Sequence, residues 1–491
     1  MKVNTPPEFD ELTYLELNPD LESAVLAGAI PSGYDHWTQY GQAERRLTAR
    51  PKPPANAPAE WNEARYLRAN PDVAAAVISG GFPSGYQHWV DHGIHEARSG
   101  GAITYTKTAP AHVLANIPTG FNAFGYDLAD NGLGNATRGY ADVFRTLSNR
   151  LRQVTVPLWG ADPPPARGFD PERSPYAFNF IHQNPDVMPL FFSHFGRELL
   201  DGRINLGYWV WEMHAGYPEW HRLSRLFHEI WVPSTYVAQS LQPISVAPVH
   251  VIPHVVDGLP KAPVLRRADL NLPEKAFVFL SVLDVASTLG RKNPLAVLRA
   301  FRNVFRARED VVLLLKYHNA GSDAAGVESL ERLASPYANV HMLNRTLPAE
   351  QVYSLFQLSD CFVSPHRSEG FGLNIATAMY YGKPVIATGY SGNMDYMDET
   401  TAFPIDYEVV PAGGGHRHYR PGYGWAEPSP EHLEALLHQV YEQREHASGL
   451  GATGRKRIQQ QHSVYAVAQQ IRARIEAITG VKNLALSGDL L

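Results

Sequence analysis

From about Ala111 the chain alternates short apolar runs with stretches of helical period, the pattern of parallel strands covered by helices on both faces. The first runs read "HVLANI", "QVTVPLW", "AFNFIHQN", "NLGYWVW", "EIWVPS" and "VHVIP", with the helix-like stretches "GNATRGYADVFRTLSNRL" and "DVMPLFFSHFGREL" between them. A second series begins at "AFVFLSVLD" and continues through "VVLLLKYH", "CFVSP" and "PVIAT", interleaved with "NPLAVLRAFRNVF", "VESLERLA" and "AEQVYSLFQLS". The break between the two series, Asp257 to Ala276, is proline-bearing and loop-like. The pattern predicts two doubly wound α/β domains of similar size that face one another, with a ligand at the carboxyl ends of the strands. "PAGGGHRHYRPGYGWAEPSP" reads as a long irregular insertion before two final helices.

The first hundred residues carry a different pattern, and it occurs twice. Phe9 to Arg46 returns as Trp61 to Arg98 at an offset of 52, with 18 of 38 aligned positions identical. Each copy suggests a short helix at its tyrosine (Tyr14, Tyr66), a second opened by Asn-Pro-Asp and a third opened by Pro-Ser-Gly that carries His-Trp. Tyr14/Tyr66, Leu15/Leu67, Val25/Val77 and Trp37/Trp89 form the expected apolar faces. The connector "LTARPKPPANAPAE" reads as an extended spacer. The paired His36 and His88 invite a metal reading, but one histidine per copy without carboxylate or cysteine at ligand spacing favours a structural role beside the tryptophan.

Composition narrows the class. At 491 residues two to four domains are expected. A hydrophobic content of 44% with 11% aromatics is that of a packed globular chain, and a net charge of −6 argues against a nucleic-acid partner held by a broad basic face. Cys361 is the single cysteine, which fits a reducing compartment. The opening residues have no signal-peptide core and no run approaches the ~18 apolar residues of a membrane span, so a cytoplasmic location is expected.

The chemistry concentrates at the ends of predicted strands. After "CFVSP" comes the corner "HRSEGFGLN", whose Gly370 and Gly372 let backbone approach a ligand where a helix begins near Leu373. Free amides and the helix dipole there favour an anion, whereas Glu369 suits hydroxyl groups beside it. A sugar next to a phosphate meets both demands. "GRKNP" sets Arg291 and Lys292 at the start of a helix after "FLSVLD", where cations can neutralise a diphosphate. In the first domain Gly132 and Gly134, before a helix, offer a second bare-backbone approach to phosphates across the cleft.

"SEGFGLNIATAMYYGKPVIAT", with "GRKNP" and "NGLG", resembles the retaining GT-B glycosyltransferases of family 4, over roughly Ala111 to Ile478. The resemblance implies a nucleotide-diphosphate sugar donor, a saccharide or lipid-linked acceptor, retention of configuration and a role in surface polysaccharide synthesis. It also implies that Glu369 holds donor-sugar hydroxyls, and that the amides of Gly370, Phe371, Gly372 and Leu373 meet sugar and β-phosphate. Arg291 and Lys292 would stabilise the leaving diphosphate with no metal or other cofactor. The family's second glutamate, eight positions after the first, is here Thr377, which offers a ribose a hydrogen bond without charge assistance. The implied organisation is tandem repeats over 1–105 (about 9–46 and 61–98), an acceptor-side domain over 106–262, a nucleotide-sugar domain over 263–450, and a C-terminal helix and tail over 451–491. The repeats lie outside the resemblance and resemble helical units appended to some bacterial surface-polysaccharide enzymes; docking to a membrane-bound assembly is a reading for them.

Three residues at strand ends of the first domain, His182, Glu212 and His214, are candidates to meet the sugar or act as acceptor-side base. Each also has the plainer reading of a strand-end polar group. Asn393 is expected to line the cleft, Arg367 to be a surface residue, and His254 to be structural. A nucleotide-sugar epimerase or phosphorylase on the same architecture, and a non-catalytic sugar-binding or scaffold descendant, are the alternative readings; no lysine motif for a phosphorylase's pyridoxal group is present.

Overall fold

The computed structural model describes residues 9, 14–15, 18–26, 29–44, 46, 61–93, 107–129, 132–157, 170–218, 220–306, 308–412, 419 and 422–486. The chain divides into two compact units, Met1–Thr106 and Lys107–Leu491.

In the first unit the elements described in both repeats follow the same signals, while most of the helix expected at Tyr14 lies outside the described residues. In the second copy Asn62 caps Glu63–Ala69 through the amide of Arg65, Pro71 opens Pro71–Ile78, and Ser84 caps Gly85–His88 before a wide turn, Trp89–Gly93. The first copy has Pro19–Leu26, the Ser32-capped Gly33–His36 and the wide turn Trp37–Gly41. The Tyr14 hydroxyl lies 3.0 Å from His36 Nδ1, and the Tyr66 hydroxyl 2.8 Å from His88 Nδ1. Both imidazoles are buried, so this bond answers the polar group that burial would otherwise leave unmatched. Among the described residues no group of three His, Cys, Asp or Glu is placed to hold a metal ion.

The second unit is built on two parallel sheets. Strands β1 (Phe121–Gly125), β2 (Leu151–Thr155), β3 (Phe178–His182), β4 (Ile204–Tyr208), β5 (Glu229–Val232) and β6 (Val249–Val251) form the first, in the order β2-β1-β3-β4-β5-β6. Strands β7 (Phe277–Asp284), β8 (Val311–His318), β9 (Val340–Asn344), β10 (Cys361–Ser364), β11 (Val385–Thr388) and β12 (Phe403–Ile405) form the second, in the order β12-β11-β10-β7-β8-β9. Side-chain alternation divides the second core. Phe277, Phe279, Leu313 and Leu315 join one apolar cluster, while Val278, Leu280, Val312 and Leu314 join another that contains Phe371, Ile375 and Met379. Burying each such side chain stabilises by about 1.5–3 kcal/mol.

The sequence pattern misplaces some elements. "HVLANI" is not a strand: Pro110 occupies the first turn of a helix, Pro110–Asn116, whose Val113 packs with Val467 and Ile471, and the first strand is β1. Strands β9 and β12 escape the pattern because β9 is half-exposed and β12 has three residues including Pro404. The insertion is not wholly irregular. Its ends pair as an antiparallel hairpin, β13 (Tyr407–Pro411) with β14 (Gly424–Pro428), and three helices follow rather than two: Pro430–Glu442, Arg444–Gln461 and Val464–Thr479. The last of these returns to the first sheet, placing Val467, Ala468, Ile471 and Ile475 beside Tyr140 and Phe144.

Candidate active site

In each sheet the strand order reverses at one place, between β1 and β3 in the first and between β7 and β10 in the second. Helices diverge there to opposite faces and leave a crevice at the carboxyl ends. Most of the residues singled out from sequence follow these four strands, while Glu212 and His214 follow β4. Gly132 opens the helix Gly132–Leu147 after β1, and His182 ends β3. Arg291 and Lys292 close a short helix, Leu289–Lys292, after β7, and Glu369 follows β10. Between the lobes lies a cleft of about 460 Å³, lined by Gly132, Glu212, Arg291, Lys292, Glu369 and Thr377 among others.

Glu369 is the hub of its charges. The Lys292 ammonium donates to Glu369 Oε1, Arg291 Nη1 lies 3.4 Å from Glu369 Oε2, and Arg291 Nη2 reaches across to Glu212 Oε1 at 3.6 Å. Burial alone would raise the Glu369 carboxyl, but Lys292 and Arg291 outweigh it and hold it at about 2. Burial likewise opposes the charge on Arg291, and the Tyr419 hydroxyl, Glu212 and Glu369 more than restore it. Lys292 is drawn below the ordinary lysine range by burial, with Glu369 opposing and Arg291 reinforcing the shift. Two cations and two carboxylates therefore meet where a ligand would enter. Arg291, 3% exposed, is further fixed by donating to the Ser368 carbonyl at 2.9 Å.

The glycine corner is shaped by close approach. Gly372 has a φ of +86° and precedes the helix Leu373–Tyr380. A Cβ on Gly370 would come within 2.9 Å of the Trp211 carbonyl oxygen, so the corner docks against the first lobe. Gly370, Phe371, Gly372 and Leu373 all line the cleft, yet the Phe371 ring is buried against His254, Tyr396 and His462, leaving its backbone to face a ligand. Thr377 lines the cleft one turn further on, and its hydroxyl donates to the Leu373 carbonyl at 2.8 Å.

The first-lobe candidates separate. Glu212 reaches the charge cluster. Gly132 stands open, with nothing within 4 Å of a would-be Cβ, whereas one on Gly134 would collide with the Ala129 carbonyl; Gly134 serves loop packing. His182 is 1% exposed and does not line the cleft. Its Nδ1 is 2.9 Å from Thr137 Oγ1, its Nε2 has no hydrogen-bond partner, and burial pushes it down to about 3, so it is neutral. His254 is buried but does line the cleft, 3.2 Å from the Tyr208 hydroxyl. His214 bonds the hairpin instead, accepting from the Gly424 amide at 3.1 Å. Asn393 lies behind the corner rather than on the cleft wall, donating to the Thr388 carbonyl at 2.9 Å and facing His366 Nε2 at 3.1 Å. Arg367 is no loose surface residue: it grips Glu427 of β14 through Nε (2.6 Å) and Nη2 (2.9 Å). Sequence reading missed the apolar part of the cleft lining after β9, formed by Leu347, Val352, Tyr353 and Phe356, and a buried lysine, Lys316, on β8. The one signal for Lys316 was its position inside the otherwise apolar "VVLLLKY".

Comparison with known proteins agrees with this arrangement. The family model described as Glycosyl transferases group 1 matches residues 265–457. A candidate glycosyltransferase of Bacillus subtilis (strain 168), YtcC, is 29% identical over 120 residues, which span 23% of this chain and 30% of that relative's length. Among solved structures, Anabaena HepE in complex with UDP and glucose superposes with a TM-score of 0.51 at 14% identity, over 73% of this chain and all of that one. Sucrose-phosphate synthase of Thermosynechococcus elongatus superposes with a TM-score of 0.51 at 16% identity, over 76% of this chain and 98% of that one. The second compact unit thus has the GT-B fold, and the match to the group 1 glycosyltransferase model falls on its second lobe.

Proposed function

We propose that the protein transfers a sugar from a nucleotide-diphosphate donor to a saccharide or lipid-linked acceptor, with retention of configuration, in the assembly of a surface polysaccharide. The observation that carries this reading is the cluster of Lys292, Arg291 and Glu369 at the switch point of the second sheet, beside the N-terminus of Leu373–Tyr380. A donor entering there exchanges carboxylate partners for phosphate: the cations turn to the diphosphate, and Glu369 is freed to accept hydrogen bonds from sugar hydroxyls. As the bond from the anomeric carbon to the phosphate oxygen breaks, the charge that develops on the diphosphate falls on groups already in place. The acceptor hydroxyl gives its proton to a phosphate oxygen of the leaving group. UDP in the Anabaena neighbour supports a nucleotide in this cleft. The cations take the role a metal would otherwise fill, so transfer should persist in a chelator.

The engagement of Thr377 with its own helix favours a second reading, a sugar-nucleotide-binding descendant without turnover. A panel of nucleotide sugars incubated with the protein decides between them. Release of nucleoside diphosphate from one donor, with a product of the donor's anomeric configuration by NMR, is the expected result; binding of a donor with no release in the presence of any acceptor would favour the second reading.

A further inference from the structure

A lysine inside a parallel strand needs a reason, because removing its charge from water is costly unless something answers it. Lys316 is 3% exposed, and Val311 to Leu315 before it and Tyr317 after it are all apolar and buried. It continues the row Val312, Leu314 on the face that packs beneath Leu373–Tyr380, and stands beside Val282 in the register with β7. Its Nζ donates to His318 Nδ1 at 2.9 Å, so the ring proton sits on Nε2, which lies 3.6 Å from Asp284 Oδ2 on the neighbouring strand. All three side chains line the cleft. Burial lowers the Lys316 ammonium from its ordinary range, with Asp284 opposing.

The order of strands along the carboxyl edge places this group. Reading β10, β7, β8, the edge presents Glu369, then Arg291 and Lys292, then Lys316; the loop and helix that follow β9 add the apolar side chains of Leu347, Val352, Tyr353 and Phe356 to the same cleft. Neighbouring strands stand about 4.8 Å apart. A nucleotide sugar is linear in the same sense: sugar, outer phosphate, inner phosphate, nucleoside. With its sugar at Glu369 and its base against these apolar side chains, its two phosphates lie over β7 and β8. Arg291 and Lys292 are matched one for one by Glu369 and Glu212, whereas Lys316 bonds only a neutral imidazole and has Asp284 no nearer than that ring.

We infer that Lys316, oriented by His318 and Asp284, binds the phosphate adjoining the nucleoside, so that the donor's two phosphates are divided between Lys292 and Lys316. This rests on reading the cleft as a nucleotide-sugar site.

Calorimetry on the full chain tests it. The wild type is titrated with UDP, GDP, ADP and dTDP, and the base that binds is followed as diphosphate, monophosphate and nucleoside in Lys316→Met and Lys292→Ala. Lys316→Met should weaken diphosphate and monophosphate alike by about tenfold or more and leave the nucleoside unchanged, while Lys292→Ala weakens the diphosphate and leaves the monophosphate within about threefold. Removing a buried charge leaves the fold intact or firmer, and Lys316→Gln repeats the measurement should the Met variant aggregate. Unchanged monophosphate affinity in either Lys316 variant, or an equal loss for the nucleoside, overturns the inference while the donor cleft stands. Failure of all four diphosphates to bind the wild type overturns the donor reading itself, and this assignment with it.

Discussion

At the switch point of the second sheet the strand ends carry charges that meet one another; at that of the first they carry neutral groups sealed from water. Lys292, Arg291 and Glu369 stand on the cleft, paired and partly open to it. His182, in the corresponding place at the end of β3, is held neutral by burial and bonded to Thr137. His254 and His462 are buried in the same seam, the first far below its ordinary range and the second at about 4 through burial, and His462 Nδ1 faces the His254 carbonyl at 3.3 Å. One topology thus serves two purposes. The second lobe presents its cations and Glu369 to a ligand, while the first keeps these histidines neutral and adds Glu212 to the charge cluster. Charge is best read where cations are already matched by carboxylates a ligand can displace, and an unmatched imidazolium in the seam would cost more than the fold could recover.

The contrast breaks first if Glu369 is not the group that serves the donor. Glu369→Gln should lower turnover by ~10²-fold or more while nucleoside diphosphate still binds, since the lost charge faces the transition state. Steady-state rates that match the wild type would remove Glu369 from the site. His182→Asn, by contrast, should leave turnover within about threefold, the range of an indirect packing change; a loss as large as that of Glu369→Gln would place the imidazole on the reacting groups and erase the distinction between the lobes.

A smaller effect follows from acid. His182 and His462 titrate in the folded protein at about 3 and about 4, below the usual 6.5. As pH falls the unfolded chain takes up these protons before the folded one does, so the contribution of these two groups to stability is complete above about pH 6.5 and is lost progressively from there towards pH 3. Thermal melts should show a lower Tm at pH 5 than at pH 7, and His462→Gln should narrow that gap. An undiminished gap in the variant would place the acid sensitivity elsewhere.

The smallest expected change is at Thr377. Its hydroxyl proton is given to the Leu373 carbonyl, so Thr377→Val should alter nucleoside diphosphate affinity by no more than about threefold. A tenfold loss by calorimetry would sharpen the picture in the other direction and make the hydroxyl a ribose ligand.

Much of the second lobe was legible because its signals are local. The strand, the glycines and the helix start around Glu369 lie within thirteen consecutive residues, and "GRKNP" begins six residues after its strand ends. The first lobe was harder to read. His182 and Glu212 both follow apolar strands, but only Glu212 reaches the charge cluster, because Arg291 extends to it from the other lobe. Gly132 and Gly134 are two residues apart, yet one opens on the cleft and the other is pinned against Ala129. "HVLANI" has the apolar content of a strand, and its proline start and its packing against the final helix made it a helix instead.

The sequence by itself determined the alternation of strand and helix, the doubling of the N-terminal elements and the pairing of a carboxylate with bare backbone at a helix mouth, because each is fixed by residues within a few turns of one another. The tertiary structure alone decided which polar groups meet. Whether a side chain at a strand end faces a cleft, a partner lobe or the interior depends on sheet order and on chain arriving from far along the sequence: Arg291 to Glu212, His462 to His254, and Lys316 beneath the helix that begins at Leu373.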